Sequence, residues 1–189
     1  HESFLDGLLL GLYLPFRPTF VVYTGVLDNW LFRQFLKLVP HLTVDHTSPL
    51  GIKKIIRLIE AGEPVVIFPE GRITNTGSLM KVYEGPAFVA AKTGATILPV
   101  RIHGAAHSHF GRLSRDFPRK WLPQIDLWFM PTAHIAMPDA PLSKQRRKLA
   151  GEAMCRLMQE MLAASRPQRT LFCALLDAVQ LHGRKTLLM

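Results

Sequence analysis

Four apolar residues, Val65-Val66-Ile67-Phe68, stop abruptly at Pro69-Glu70-Gly71-Arg72. Three of the four are β-branched and suit a pleated surface, and the Pro and Gly that follow end regular structure. The stretch therefore reads as a buried strand running into a tight loop that presents a carboxylate and a guanidinium. An unpaired charge beside a core is costly. The planar fork of Arg72 suits a phosphate, which it can meet with two parallel hydrogen bonds. Taken alone, Glu70 and Arg72 fit a plain ion pair at a strand end equally well, since structural ion pairs also occur in clefts.

Helical and strand patterns alternate around this strand. A helix is expected from about Ser3 through the apolar run to Leu14, then a strand over Thr19 to Tyr23 and a helix over Asp28 to Leu38. A short strand over 42–44 precedes Ser48-Pro49, a cap and first-turn proline that open a helix with the stripe Ile52, Ile55, Ile56 and Ile59. Gly62 closes it, and the strand 64–68 leads into the loop 69–79. A small-residue helix over 85–93 ends at Gly94. The next strand, 96–102, is broken by Pro99, which signals an edge or bulge and a possible site wall. Late strands are expected over 124–129 and 133–136. Ser143 is read as the cap of a long helix with Leu149, Met154, Leu157, Met158 and Met161 on one side, and a last helix covers 171–181. The class is α/β, a mixed, mostly parallel sheet flanked by helices. With 189 residues, 48% of them hydrophobic, the chain can bury one sizeable core, so 1–189 is read as a single domain.

The formal charge of +9 calls for an acidic partner: nucleic acid, an anionic membrane or an acidic carrier protein. No zinc-finger, helix-turn-helix or aromatic RNA-binding pattern is present, so no nucleic acid is expected. Residues 103–123 mix Phe110, Phe117 and Trp121 with Arg112, Arg115, Arg119 and Lys120, as at a membrane interface or an acidic protein, or as on an ordinary surface loop. Lys144, Arg146 and Arg147 have the wrong sign for the first turn of a helix, which hints that they serve a partner. Cys155 and Cys173, and the cluster His103, His107 and His109, lack metal-ligand spacing, so no metal is expected and the thiols are read as reduced.

His1 and Asp6 complete the pattern. A carboxylate five positions on can fix an imidazole tautomer and stabilise the imidazolium, the His–Asp half of a triad without its serine. Such an arrangement suits a substrate that brings its own hydroxyl, although a lone His-x4-Asp also occurs as a mere surface pair. Ser3, the one nearby hydroxyl that could make a hydrolase, reads as a helix cap instead.

These three blocks, His1-x4-Asp6, Phe68-Pro-Glu-Gly-Arg72 and Ile97-Leu-Pro-Val-Arg101, in this order resemble the glycerolipid acyltransferase family. The family's first block begins with an Asn that would directly precede His1. Finer likeness over 68–81, 94–102 and 136–141 is to the acyltransferase half of bacterial bifunctional enzymes that re-acylate 2-acylglycerophosphoethanolamine and also carry an acyl-carrier-protein synthetase. The resemblance implies His1 as general base and Asp6 as its orienting partner. It implies that Glu70, Gly71 and Arg72 hold the acceptor phosphate and that Pro99 shapes a pocket. The family's second block does not fit well, since Gly25 and Arg33 are too far apart, and Arg33 stays outside the site.

The implied reaction moves a fatty acyl group from an acyl carrier protein thioester to the sn-1 hydroxyl of a 2-acyl-lysophosphatidylethanolamine. The shared blocks leave open a lysophosphatidate acceptor, and the charge leaves open a non-catalytic module that binds membrane or carrier. No cofactor is implied in this domain; ATP and Mg would serve only a ligase half expected beyond Met189. The chain opens on His1, so it is read as a truncated fragment whose activity needs the upstream segment. The implied location is the cytoplasmic face of the bacterial inner membrane, with the basic residues of 112–120 and 144–148 docking the acidic carrier.

Overall fold

The computed structural model of the chain describes residues 1–25, 33–34, 36–45, 49–113 and 118–165. Most of the expected helix over 28–38, the Ser48 cap, Arg115, Phe117, Cys173 and the helix over 171–181 lie outside them.

Phe20 and Val22, 2% and 6% exposed, point to the same side of β1 (Thr19–Tyr23) because side chains alternate along a strand. β1 is the centre of a parallel sheet, with β2 (His41–Val44) on one side and β3 (Val65–Val66) on the other. Parallel neighbours need a crossover, and α2 (Pro49–Glu60) supplies it between β2 and β3, burying Ile55. Gly62, at φ 81°, follows the helix in the left-handed conformation that glycine adopts without strain.

α1 (Leu5–Tyr13) inserts Leu10 into the core cluster of Phe20, Val22, Leu36, Ile102 and Ala105. Among the described residues no helix is long and apolar enough to cross a membrane. A second cluster joins α3 (Glu84–Thr93) to α4 (Ser143–Ala164) through Ala87, Ala91, Ala150 and Met154, with Ile135 beside them. Small side chains let the two helices approach closely, as Gly151 shows: a Cβ there would lie 3.0 Å from Glu84 Cγ. β4 (Val100–His103) pairs antiparallel with β5 (Asp126–Phe129), which makes the strand content mixed.

Several local expectations need correction. The stretch 64–68 forms only the two-residue β3, and Val65 to Phe68 are half-buried because they border the smaller cavity, with Val66 and Phe68 also packing on the core cluster. Pro99 splits the expected strand 96–102. It has no N–H to give the ladder, so β4 starts at Val100 and Ile97 makes only an isolated bridge to Ala133. That bridge is also all that remains of the strand expected over 133–136. Ser143 is the first residue of α4 and caps nothing, and Leu149 is 42% exposed, off the apolar side.

β4 runs into the excursion 104–123 through Gly104, at φ 91°, where a Cβ would run into the Gln124 carbonyl. Gly104→Ala is expected to destabilise by about 1–3 kcal/mol from crowding plus about 1–2 kcal/mol from the left-handed backbone. A urea unfolding midpoint equal to wild type would refute this.

Candidate active site

The first turn of the chain folds around Asp6. Ser3 Oγ accepts the Leu5 N–H at 3.0 Å, which tightens the entry to α1 and carries Asp6 inward until it is 0% exposed. Oδ2 accepts the Glu2 N–H at 2.6 Å and lies 2.7 Å from His1 Nδ1; Oδ1 meets the Ser3 N–H at 3.2 Å and the Ser3 hydroxyl at 3.3 Å. Burial pushes the Asp6 carboxyl above its ordinary value, while the amino-terminal charge and the Glu2 and Ser3 donors pull it down. With Nδ1 committed to Asp6, Nε2 is the imidazole nitrogen left to take a proton.

The main chain of His1 is fixed by the loop after β3. Gly71, at φ 62°, turns that loop sharply, and its N–H bonds the Phe68 carbonyl at 3.0 Å. The turn swings Glu70, 3% exposed, back under His1. Glu70 Oε1 lies 2.5 Å from the His1 main-chain nitrogen, and Oε2 accepts the Met80 N–H at 2.7 Å. The His1 carbonyl in turn accepts the Thr74 N–H at 2.9 Å. Phe68 stacks on the imidazole with centroids 4.2 Å apart and planes 20° from parallel. The His-x4-Asp turn and the Phe-Pro-Glu-Gly-Arg loop thus form one hydrogen-bonded unit, although far apart in sequence.

Two cavities meet at this unit. The larger, about 810 Å³, is bounded by His1, Phe68, Gly71 and Arg72, by β1, and by the start of α2. Among the described residues the cations Arg72, Lys81, Arg112 and Arg147 line it. Three of them lie over aromatic faces, Arg112 on Phe4 at 5.2 Å, Lys81 on Tyr83 at 5.4 Å and Arg147 on Phe88 at 5.0 Å. Hydrogen bonds on either side of Lys81, Met80 N–H to Glu70 and Tyr83 N–H to the Pro69 carbonyl, hold its backbone beside the loop. Asp45 and Glu84 are the carboxylates of the same lining. The smaller cavity, about 380 Å³, touches His1, Asp6, Phe68 and Glu70 and is otherwise largely apolar, with Pro99, Met154, Met158 and Met161 in its wall.

The structure brings His1, Asp6, Glu70, Gly71 and Arg72 together, and Pro99 lines the smaller cavity that His1, Asp6 and Glu70 also border. Glu70 pairs through Oε1 with the His1 α-ammonium and through Oε2 with the Met80 N–H, an arrangement that braces the site instead of presenting a carboxylate to an anion. Lys81, Arg112 and Arg147 are cavity residues that the sequence did not reveal. Arg112 and Arg147 had been visible only as docking charges, and no spacing links the three. The three clustered histidines go to different places: His103 lies 3.8 Å from Glu2, His107 Nδ1 lies 3.3 Å from the Pro118 carbonyl, and His109 stacks on Trp121.

Comparison with known proteins agrees with this picture. A family model described as Acyltransferase matches residues 1–103. The chain is 33% identical over 110 residues to a chloroplastic 1-acyl-sn-glycerol-3-phosphate acyltransferase of Arabidopsis thaliana, covering 55% of this chain and 30% of that protein. It is 29% identical over 107 residues to a 1-acyl-sn-glycerol-3-phosphate acyltransferase of Bacillus subtilis, covering 55% of this chain and 53% of that protein. The chain therefore spans under a third of the first relative and about half of the second. Its fold matches the crystal structure of the 1-acyl-sn-glycerophosphate acyltransferase PlsC from Thermotoga maritima with a TM-score of 0.58 at 17% identity, over 89% of this chain and 66% of that one. The matched span contains His1, Asp6 and the whole Phe-Pro-Glu-Gly-Arg loop, and on that match the chain belongs to the acyltransferase family.

Proposed function

We propose that this chain transfers a fatty acyl group from an acyl carrier protein thioester to the sn-1 hydroxyl of a 2-acyl-lysophosphatidylethanolamine, re-acylating phospholipid at the cytoplasmic face of a bacterial inner membrane. The observation that carries the reading is the state of the nearest hydroxyl. Ser3 is 0% exposed and its hydroxyl donates to Asp6, which speaks against a serine nucleophile and supports a hydroxyl brought by the substrate. His1 Nε2 takes the proton as the acceptor oxygen attacks the thioester carbonyl. The tetrahedral adduct expels the thiolate, and the imidazolium returns the proton to sulfur. Asp6 holds the tautomer and stabilises the imidazolium. Arg72 and Lys81 hold the acceptor phosphate in the larger cavity, and the acyl chain lies in the smaller one, against Pro99 and the methionines. The carrier docks on Lys144, Arg146 and Lys148 at the start of α4, beside Arg147.

A second reading, lysophosphatidate as acceptor, is favoured by the names of the relatives. Glu84 distinguishes the two. A carboxylate in the larger cavity suits the ammonium of an ethanolamine headgroup and has no use for a bare phosphate. Glu84→Gln is therefore expected to raise KM for the ethanolamine acceptor by about tenfold, in keeping with the strength of a charge-assisted hydrogen bond, and to leave the lysophosphatidate KM unchanged.

The deciding experiment assays both acceptors with acyl carrier thioester, using wild type and His1→Ala, each with and without the residues that precede His1. Transfer to the ethanolamine lipid that His1→Ala abolishes supports the first reading. A preference for lysophosphatidate supports the second. Transfer to neither leaves a non-catalytic binding module.

A further inference from the structure

We propose that the tip Arg119-Lys120-Trp121-Leu122 is a lipid-docking element that seats the mouth of the larger cavity on an anionic bilayer surface. Trp121 is 78% exposed and Leu122 94%, and the two are adjacent at the end of the excursion that follows β4. This exposure does not come from a slack loop. The Lys120 N–H bonds the His107 carbonyl at 2.8 Å, Arg119 Nη2 donates to the Leu113 carbonyl at 3.3 Å, and the Trp121 ring stacks on His109 at 4.2 Å. The fold therefore holds an indole and an isobutyl group outward, where water is a poor solvent for both.

The tip is joined to the site. Ser3 bridges to Gly111, the Phe4 N–H bonds the Phe110 carbonyl at 3.3 Å, and Arg112 of the same excursion lines the larger cavity. Whatever Trp121 rests on is thus held close to the turn that carries His1. In sequence, residues 104–123 carry Arg112, Arg115, Arg119 and Lys120 against one carboxylate, Asp116, a balance that complements a negatively charged surface. The apolar pair decides the kind of surface. An acidic protein would meet the cations and gain little from a projecting Leu122. A bilayer interface takes the indole at headgroup level and the leucine just beneath it, while cations bind anionic headgroups. Among the described residues, Glu2 accepts the Ala106 N–H and Asp126 lies on β5 opposite His103; neither is in the tip.

The inference concerns where the proposed acyl transfer takes place, but its main readout is independent of activity. Vesicles of phosphatidylethanolamine and phosphatidylglycerol are sedimented with wild type and with the Trp121→Ala/Leu122→Ala double variant, whose fold is checked by circular dichroism. The double variant is expected to bind about tenfold more weakly. Reversal of Arg119 or Lys120 to Glu is expected to cost about fivefold or more for each, at low salt only. In a Trp30→Phe/Trp128→Phe background, brominated lipid should quench the fluorescence of Trp121. Where transfer is measurable, the double variant should raise KM for a vesicle-embedded acceptor and not for a short-chain monomeric one. Unchanged vesicle binding or unquenched Trp121 overturns the proposal. So does a loss that moves to the exposed pair Leu12 and Tyr13 of α1, or a rise confined to the KM for carrier thioester, which would make the tip a protein-docking site. If wild type transfers no acyl group, the proposed function fails, and vesicle binding and quenching still decide this inference.

Discussion

Replacing His1 with alanine is expected to lower the turnover number for acyl transfer by about 10²–10⁴-fold, the usual contribution of a positioned general base. Lysophospholipid binding should change little. The reason is the division of labour in the site: Nδ1 is held 2.7 Å from a fully buried carboxylate, while the cations lie on other segments of the larger cavity wall. Alanine removes the base and leaves Arg72 and Lys81 in place. The measurement is single-turnover transfer beside equilibrium binding of the acceptor. A variant that binds and still turns over at the wild-type rate would remove His1 from the mechanism. Loss of binding and turnover in equal measure would make the imidazole, stacked on Phe68, part of the wall and not the base.

Glu70→Ala is expected to lower unfolding stability by about 2–4 kcal/mol, since it leaves two main-chain nitrogen donors, the His1 α-ammonium and the Met80 N–H, without their acceptor. Turnover should fall with stability, because the same carboxylate holds the backbone of the proposed base. Glu70→Gln keeps one acceptor oxygen and should lose less on both counts. Arg72→Ala should behave differently, raising KM for the acceptor with the unfolding midpoint almost unchanged. Urea unfolding with kinetics on the same preparations separates the cases. If Glu70 touched the acceptor phosphate directly, its alanine variant would change KM and leave the unfolding curve where it was.

The parts of this site legible in the sequence are those in which chemistry and backbone are local. His1 and Asp6 are five positions apart across the turn that opens α1, and Glu70, Gly71 and Arg72 are consecutive after an apolar run, so residue type and spacing carry the information. The meaning of Glu70 was not legible. Its partners are backbone atoms 69 residues earlier and 10 residues later, and a sequence displays no backbone partners. The cation lining was hidden for a related reason. Lys81, Arg112 and Arg147 come from a strap, an excursion and a helix, and nothing but tertiary packing brings them to one cavity. In the fold, β1 was readable from its β-branched and aromatic residues and α2 from its isoleucine stripe. β3 and β4 were overestimated, because apolar character was taken for sheet pairing. Ile67 and Phe68 use it to border cavities, and Pro99 interrupts the second run.

His1 and Phe68 belong to the linings of both cavities. A stacked pair of rings that serves as a shared partition has a kinetic consequence. With acceptor and acyl chain in the two compartments, as proposed above, the two meet at one imidazole, and neither must vacate before the other enters. Such a catalyst has no need to carry the cargo itself between half-reactions. The order of arrival is then set by how each compartment opens to its surroundings, and the partition serves as a meeting point for two guests present together.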